Sequence, residues 1–430
     1  MRFLFVSTDL IAGNLANLLV QEGHEVKLFV EERVRRKNFS GMVGQTEDWK
    51  KELPWVGHDG VIVFDDSGYG KEQEMLRDAG FAVFGGSSGG DDLEFERESA
   101  QNIFKEHGLD VVPSKDFPTI KEAVNYIKRH PDFWVIKQNN HAPKSMNYVG
   151  QDPKGFDVIS VLESYASNDL LKKEKITLQK RVFGVEVGIG RYFNGSNWVG
   201  PIEYNVEHKK FLAGDLGPTT SEMGTIAWYD DDEENILYKK VIAPFKEYLQ
   251  KINFRGDFEI NCIVNEHEIV PLEATPRFGS PIVHLHSEIH DSPWGELLSA
   301  VARGEDYDLK WKKGFGIVIL MALPPFPYQK KSAEHDYRGI YIDMTQVKKE
   351  EMSHIHFEEI SKDEKGYYIS DNRGYVLYVT NIGINPEKTF EDAYNLAKRI
   401  VIPKVLYRND IGERFIEKDL PVLKKWGYIK

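Results

Sequence analysis

The sequence predicts a multidomain α/β protein that opens with a parallel sheet, and three observations carry that expectation. The first is order: short apolar runs at 3–6, 26–30, 61–64 and 81–84 alternate with helical patterns at 15–22 and 71–79. Strand, helix, strand in repetition builds a parallel sheet through right-handed crossovers. The second is length, because 430 residues exceed what one hydrophobic core organises. The third is composition, since 41% hydrophobic and 29% charged residues suit a soluble globular chain.

The same composition excludes several classes. The longest strongly apolar stretch, 317–323, is strand-sized, far short of the roughly 20 residues that span a bilayer. The amino terminus lacks a basic n-region and a small-residue cleavage site, so the expected location is cytoplasmic. Cys262 is the sole cysteine, which rules out an internal disulfide and a cysteine-rich zinc site. A formal net charge of −13 would repel a phosphate backbone, so no general nucleic-acid surface is expected. The expected partners are small molecules, with the chain a monomer or weak dimer.

Further along, a charged amphipathic helix is expected over 93–108, a helix over 120–129 and a strand over 133–137. Strand-like segments follow at 175–182 and 185–193. Residues 205–225, rich in Gly, Pro and Thr, read as a long loop, of a kind that is often functional. A helix with an acidic start is expected over 230–250, then paired strands at 257–264 and 268–274. No G-x-G-x-x-G follows the first strand, so a dinucleotide fold is unsupported.

Glu259 and Glu273 make the main chemical signal. If their strands form a hairpin around Asn265-Glu266, alternation can put both carboxylates on one face, either as an exposed acidic surface or as a cation site. Oxygen ligands of this kind suit Mg2+, which typically takes one or two carboxylates and completes its shell with phosphate oxygens and water. Arg277 lies close behind and can present a planar fork to a phosphate or carboxylate. Lys137 ends an apolar strand, where an ammonium can reach into a cleft. Glu186 follows the turn at Gly184 and could meet ribose hydroxyls or solvent. His284, His286 and His290 lack the companion set that would fix a metal geometry.

The stretch Gly214-Asp215-Leu216-Gly217-Pro218-Thr219-Thr220-Ser221-Glu222-Met223-Gly224 resembles the D-x-G-P-N-T-G-G-M-G signature of glycinamide ribonucleotide synthetases, the phosphoribosylamine–glycine ligases of the ATP-grasp superfamily. His208-Lys209-Lys210 is similar to that family's D-H-K-R, the segment from Glu273 to Pro281 to its E-x-N-x-R-F-G-D-P, and Arg408-Asn409-Asp410-Ile411-Gly412 to its R-K-D-I-G.

The resemblance implies an amino-terminal α/β domain over 1–100 and an ATP-grasp domain of two α+β subdomains over 101–310, with a lid at about 118–182. It also implies a small carboxyl-terminal α+β domain over 311–430. The reaction it implies, a step of purine biosynthesis, is ATP-dependent joining of a carboxylate to an amine through an acyl phosphate. Alternatives are the same chemistry with another amine, or nucleotide binding without ligation.

By the same resemblance, Lys137 meets ATP phosphates, Gln179, Lys180, Arg181 and Val182 line adenine, and Glu186 meets ribose; Lys144 can meet ATP phosphates by side chain where the family uses lid glycines. Glu259, Glu273 and Thr275 hold Mg2+ or Mn2+. Arg277 and Asp215 act on the reacting groups, with His208, Lys209, Gly217, Pro218, Thr219 and Thr220 on the substrates. Four departures stand out: residues 7–14 replace a glycine-rich phosphate loop, 138–147 replace a glycine-rich lid, Thr275 stands for an Asn, and Ser221-Glu222 replaces a Gly pair.

Overall fold

The computed structural model describes residues 1–137, 147–167, 176–328 and 336–430. Among these, strands β1 (Arg2–Ser7), β2 (Glu25–Val30), β3 (Gly44–Gln45), β4 (Val61–Phe64) and β5 (Ala82–Phe84) form a parallel sheet in the order β3-β2-β1-β4-β5. Phe3 to Val6 are buried on both faces, as helix-covered parallel strands require. The helix Trp294–Arg303 closes this layer by packing Leu297, Leu298 and Val301 into the same core as Phe3, Phe5 and Phe84.

Strands β6 (Ser114–Phe117), β7 (Trp134–Lys137), β8 (Tyr148–Val149) and β9 (Ile176–Lys180) form a second, antiparallel sheet in the order β6-β9-β7-β8. The helix Ile120–Arg129 starts where Thr119 accepts a hydrogen bond from the Glu122 amide, and it buries Ile120, Ala123, Val124 and Ile127 against this sheet. With Trp134, Ile136, Leu162 and Leu178, these residues make a core of their own.

The largest sheet is built from β10 (Val185–Asn194), β11 (Trp198–Glu207), β14 (Gly224–Asp230), β15 (Arg255–Val264), β16 (Ile269–Thr275), β17 (Phe315–Ala322), β18 (Ile355–Phe357) and β21 (Tyr375–Gly383). Its order is β16-β15-β10-β11-β14-β17-β21-β18. Two hairpins stand apart: β12 (Lys210–Leu212) with β13 (Leu216–Thr219), and β19 (Ile360–Asp363) with β20 (Gly366–Ile369). Segments after residue 311 thus supply three strands to the central sheet.

Four local expectations need correction. Residues 205–225 are not one long loop, because β11 runs to Glu207, the β12–β13 hairpin fills the middle and β14 begins at Gly224. Left-handed backbone at Gly214, Asp215 and Gly217 makes that reversal possible. The helix expected over 230–250 is divided into Ile236–Val241 and Lys246–Lys251, since Pro244 has no amide proton to continue the ladder. The helix expected over 93–108 is divided by non-helical Glu96 into Ser88–Phe95 and Arg97–Glu106. Strand β11 was not anticipated, although Ile202, Tyr204 and Val206 alternate as buried residues along it.

Candidate active site

The hairpin of β15 and β16 forms around Asn265-Glu266, with Glu259 opposite Thr275 and Asn261 opposite Glu273. Opposed residues share a face, so both carboxylates project from the same side of the sheet. They differ in setting, however: Glu259 is 7% exposed, whereas the Glu273 side chain is 62% exposed at the rim.

Neighbouring strands extend this polar face. Asn205 on β11 donates through Nδ2 to Glu259 Oε2 at 2.6 Å and to Glu203 Oε1 at 2.8 Å. Asn261 donates through Nδ2 to Glu207 Oε1 at 3.0 Å. Burial, then the charges of Glu203, Glu207 and Asp257, push the Glu259 carboxyl well above its ordinary range. Glycine at 188 is needed for the approach: a Cβ there would lie 2.5 Å from the Asn205 amide. Gly188→Ala is expected to displace Asn205 and lower turnover about 10- to 100-fold while circular dichroism stays native, which steady-state kinetics on the purified variant would check.

Lys209 ties this face together. Its Nζ lies 2.7 Å from Glu186 Oε1, 2.8 Å from Glu207 Oε2 and 3.5 Å from Glu273 Oε1. Burial disfavours its charge, but Glu207, Glu186 and Glu273 outweigh that and hold the ammonium well above its usual range. Lys137, at the end of β7, is shifted down by burial and by Arg97, against the pull of Glu273 and Glu186. Arg97 donates to Gln179 Oε1 at 3.2 Å. The face of the four-stranded sheet that carries Lys137 and Gln179 on its two inner strands therefore meets the acidic face of the central sheet.

Other candidates fall further out. Lys180 pairs with Asp132 at 2.6 Å, Arg181 donates to the Gly150 carbonyl and to Gln151, and Val182 is partly exposed between β9 and β10. Lys144 lies outside the described residues. Arg277 is held by Glu94 at 2.9 Å and lies 3.5 Å from Asp66, which brings it to the amino-terminal sheet. Asp215 is clamped by Arg408 and Arg414, each at 2.8 Å. Gly217, Pro218 and Thr219 lie in β13, and Thr220 folds back so that its amide and hydroxyl both donate to the Lys209 carbonyl.

His208 is buried beside that clamp with both ring nitrogens unpartnered. Burial, with help from Arg414 and Arg408, lowers its pKa to about 3. The unfolded chain then binds a proton that the folded chain refuses, so this residue costs stability as pH falls from about 6.5 toward 3. His208→Gln is expected to lose less thermal stability than the parent between pH 6.5 and pH 4, read from melting curves at each pH.

Among the described residues, no group of three His, Cys, Asp or Glu side chains is arranged to hold a metal ion by itself. His286 Nε2 instead meets Glu203 at 2.7 Å, His290 meets the Tyr229 hydroxyl at 2.9 Å, and His284 stacks on Tyr378. Cys262 is buried. Sequence reading missed Arg97, Glu203, Asn205, Glu207 and Asn261. The last of these lay two residues from Glu259 on a strand already recognised, so strand alternation alone could have found it.

No family model matches the chain. A phosphoribosylamine–glycine ligase of Helicobacter pylori is 25% identical over 355 residues, covering 80% of this chain and 79% of the relative. The crystal structure of phosphoribosylamine–glycine ligase from Thermotoga maritima superposes with a TM-score of 0.69 at 20% identity, over 95% of this chain and all of that one. A biotin carboxylase from Campylobacter jejuni, in complex with β,γ-ATP, gives 0.64 at 10% identity over 99% and 98%.

An open parallel sheet, a four-stranded sheet and a large antiparallel sheet give the chain an ATP-grasp fold. Its curated relatives at this distance, 22–25% identical over about four fifths of the chain, are phosphoribosylamine–glycine ligases. No helix among the described residues is long and apolar enough to cross a membrane.

Proposed function

We propose that this protein activates a carboxylate with ATP and joins it to an amine. The observation that carries the reading is one polar face bearing Glu259, Asn261, Glu273 and Lys209, with Lys137 approaching from the other sheet. The reaction for which the curated relatives are named, glycine with phosphoribosylamine, is the reference case.

The donor set fits a hard divalent cation. Asn205 Oδ1, Asn261 Oδ1 and Glu222 Oε1 are buried oxygens without hydrogen-bond partners beside Glu259, and two carboxylates short of a full cage suit Mg2+ or Mn2+. Glu259, Glu273 and Thr275 would hold the ion, which supplies charge neutralisation for ATP phosphates when bound.

The chain's own residues do the rest. Lys137 would offset phosphate charge, and by the resemblance Gln179 would meet the base and Glu186 the ribose of the nucleotide. The substrate carboxylate oxygen attacks the γ-phosphorus as its bond to ADP breaks. The neutral amine then attacks the acyl carbon: a C–N bond forms, the C–O bond to phosphate breaks, and solvent takes the proton shed by nitrogen. Arg277 stands at the border of the acidic face and the amino-terminal sheet, where its guanidinium can stabilise the acyl phosphate.

The division into segments 1–100, 101–310 and 311–430 belongs to the same proposal, with ATP between the second sheet and the third. An ADP-release screen of amino acids crossed with amines tests it. Amide formation detected by mass spectrometry is the expected result, and tight ATP binding without substrate-dependent ADP release would overturn it.

A further inference from the structure

Resting on that ligase reading, we infer that His286 is a positioning residue for the metal site: through Glu203 and Asn205 it fixes the Glu259 carboxylate and so sets the affinity for the divalent ion that accompanies ATP. His286 lies on the helix Ile282–Ile289, the first helix after β16, and is 1% exposed.

The sequence clears the way for this contact. Strand β10 lies between β11 and β15 and carries glycine where side chains of the three would crowd. Gly188 stands opposite Asn205 and Asn261, and Gly190 stands opposite Glu203 and Glu259. A Cβ at Gly188 would lie 2.5 Å from the Asn205 amide, and one at Gly190 would lie 3.2 Å from Glu203 Oε2 and 3.4 Å from Glu259 Cβ. With no side chain between them, polar groups of β11 and β15 meet directly across β10.

A continuous chain of short hydrogen bonds results. His286 Nε2 lies 2.7 Å from Glu203 Oε2, and a carboxylate acceptor makes the ring nitrogen the donor. The other oxygen, Glu203 Oε1, accepts from Asn205 Nδ2 at 2.8 Å, and the same nitrogen donates its second hydrogen to Glu259 Oε2 at 2.6 Å. Both amide hydrogens of Asn205 end on carboxylates, which fixes its orientation and leaves Glu259 Oε1 for the ion. All four side chains are buried.

Among the described residues, His286 is the one group that pairs with Glu203 or Asp257, at 2.7 Å and 3.9 Å. Burial disfavours the charged ring, yet Glu203 and Asp257 outweigh it and hold the imidazole above its ordinary range. A buried ion pair seldom adds net stability over well-packed apolar residues, whereas one that anchors an amide on a metal ligand adds placement.

The test measures Mn2+ binding to the full chain with a non-hydrolysable ATP analogue, read from the electron paramagnetic resonance signal of the free ion. His286→Leu is expected to raise the Kd for Mn2+ about 10- to 100-fold. His286→Gln, whose amide can still donate to Glu203, should stay within about threefold of the parent. In an Asn205→Ala background, His286→Leu should add less than about twofold, because its route to Glu259 is already cut. Should His286→Leu fail to fold, Glu203→Met combined with His286→Leu removes both partners and strands neither charge, and the same rise of about 10- to 100-fold is expected of it.

Unchanged Mn2+ affinity in these variants, an equal loss in His286→Gln, or an undiminished loss once Asn205 is replaced would overturn the inference while leaving the ligase reading intact. Failure of the parent to bind Mn2+ with the ATP analogue would overturn the ligase reading, and this inference with it.

Discussion

Glu273→Ala is expected to reduce substrate-dependent ADP formation by about 100- to 1,000-fold while the protein stays folded. The reasoning joins placement to exposure. Glu273 stands opposite Asn261, on the face that carries Glu259, yet its side chain is 62% exposed at the rim. Removing a rim carboxylate costs little packing, so a large kinetic effect would have to come from chemistry at the face. Lys209 keeps Glu186 and Glu207 as partners in the variant, which protects the fold. Coupled-enzyme detection of ADP, alongside circular dichroism, reads both halves of the expectation. Unchanged turnover would remove Glu273 from the site.

Arg35→Met is expected to destabilise the protein by about 3 to 5 kcal/mol, the scale for stranding buried charge by removing one partner. Arg35 is 1% exposed and contacts Asp9 at 2.7 Å, Asp371 at 2.9 Å, Glu358 at 3.1 Å and Glu359 at 3.3 Å. It thereby links the amino-terminal sheet to the last hundred residues of the chain. The loss should be larger at pH 8 than at pH 5. Burial already pushes the Glu358 carboxyl up to about 7 in the presence of Arg35, so at low pH it takes a proton and the stranded charge is relieved. Urea unfolding of parent and variant at the two pH values measures the difference, and equal stabilities would contradict it.

Much of the architecture was legible because it follows from periodicity. The four apolar runs of the first hundred residues became β1, β2, β4 and β5, and the β15–β16 hairpin turned where Asn265-Glu266 predicted. The helix at 120–129 kept its bounds because Thr119, Glu122 and four buried residues at helical spacing agree on it. What escaped depended on tertiary placement. In 205–225, glycines and an aspartate suggested a loop, but their left-handed backbone serves a tight hairpin.

The site divides the same way. Glu259 and Glu273 were found by alternation, and the structure sets both on one face. Lys209 carried a resemblance but no charge argument, and its grip on Glu186, Glu207 and Glu273 appears only once β10, β11 and β16 lie together. The sequence does not announce that Asp215 would be neutralised by Arg408 and Arg414, which lie 193 and 199 residues away. Nor does it reveal that Arg277 reaches Glu94 of the amino-terminal part.

The most direct test of the central claim is anomalous diffraction from crystals grown with Mn2+ and a non-hydrolysable ATP analogue. The account predicts a manganese peak within ligand distance of Glu259 and Glu273, with the analogue's phosphates beside Lys137. A nucleotide bound with no ion between those two carboxylates would contradict it.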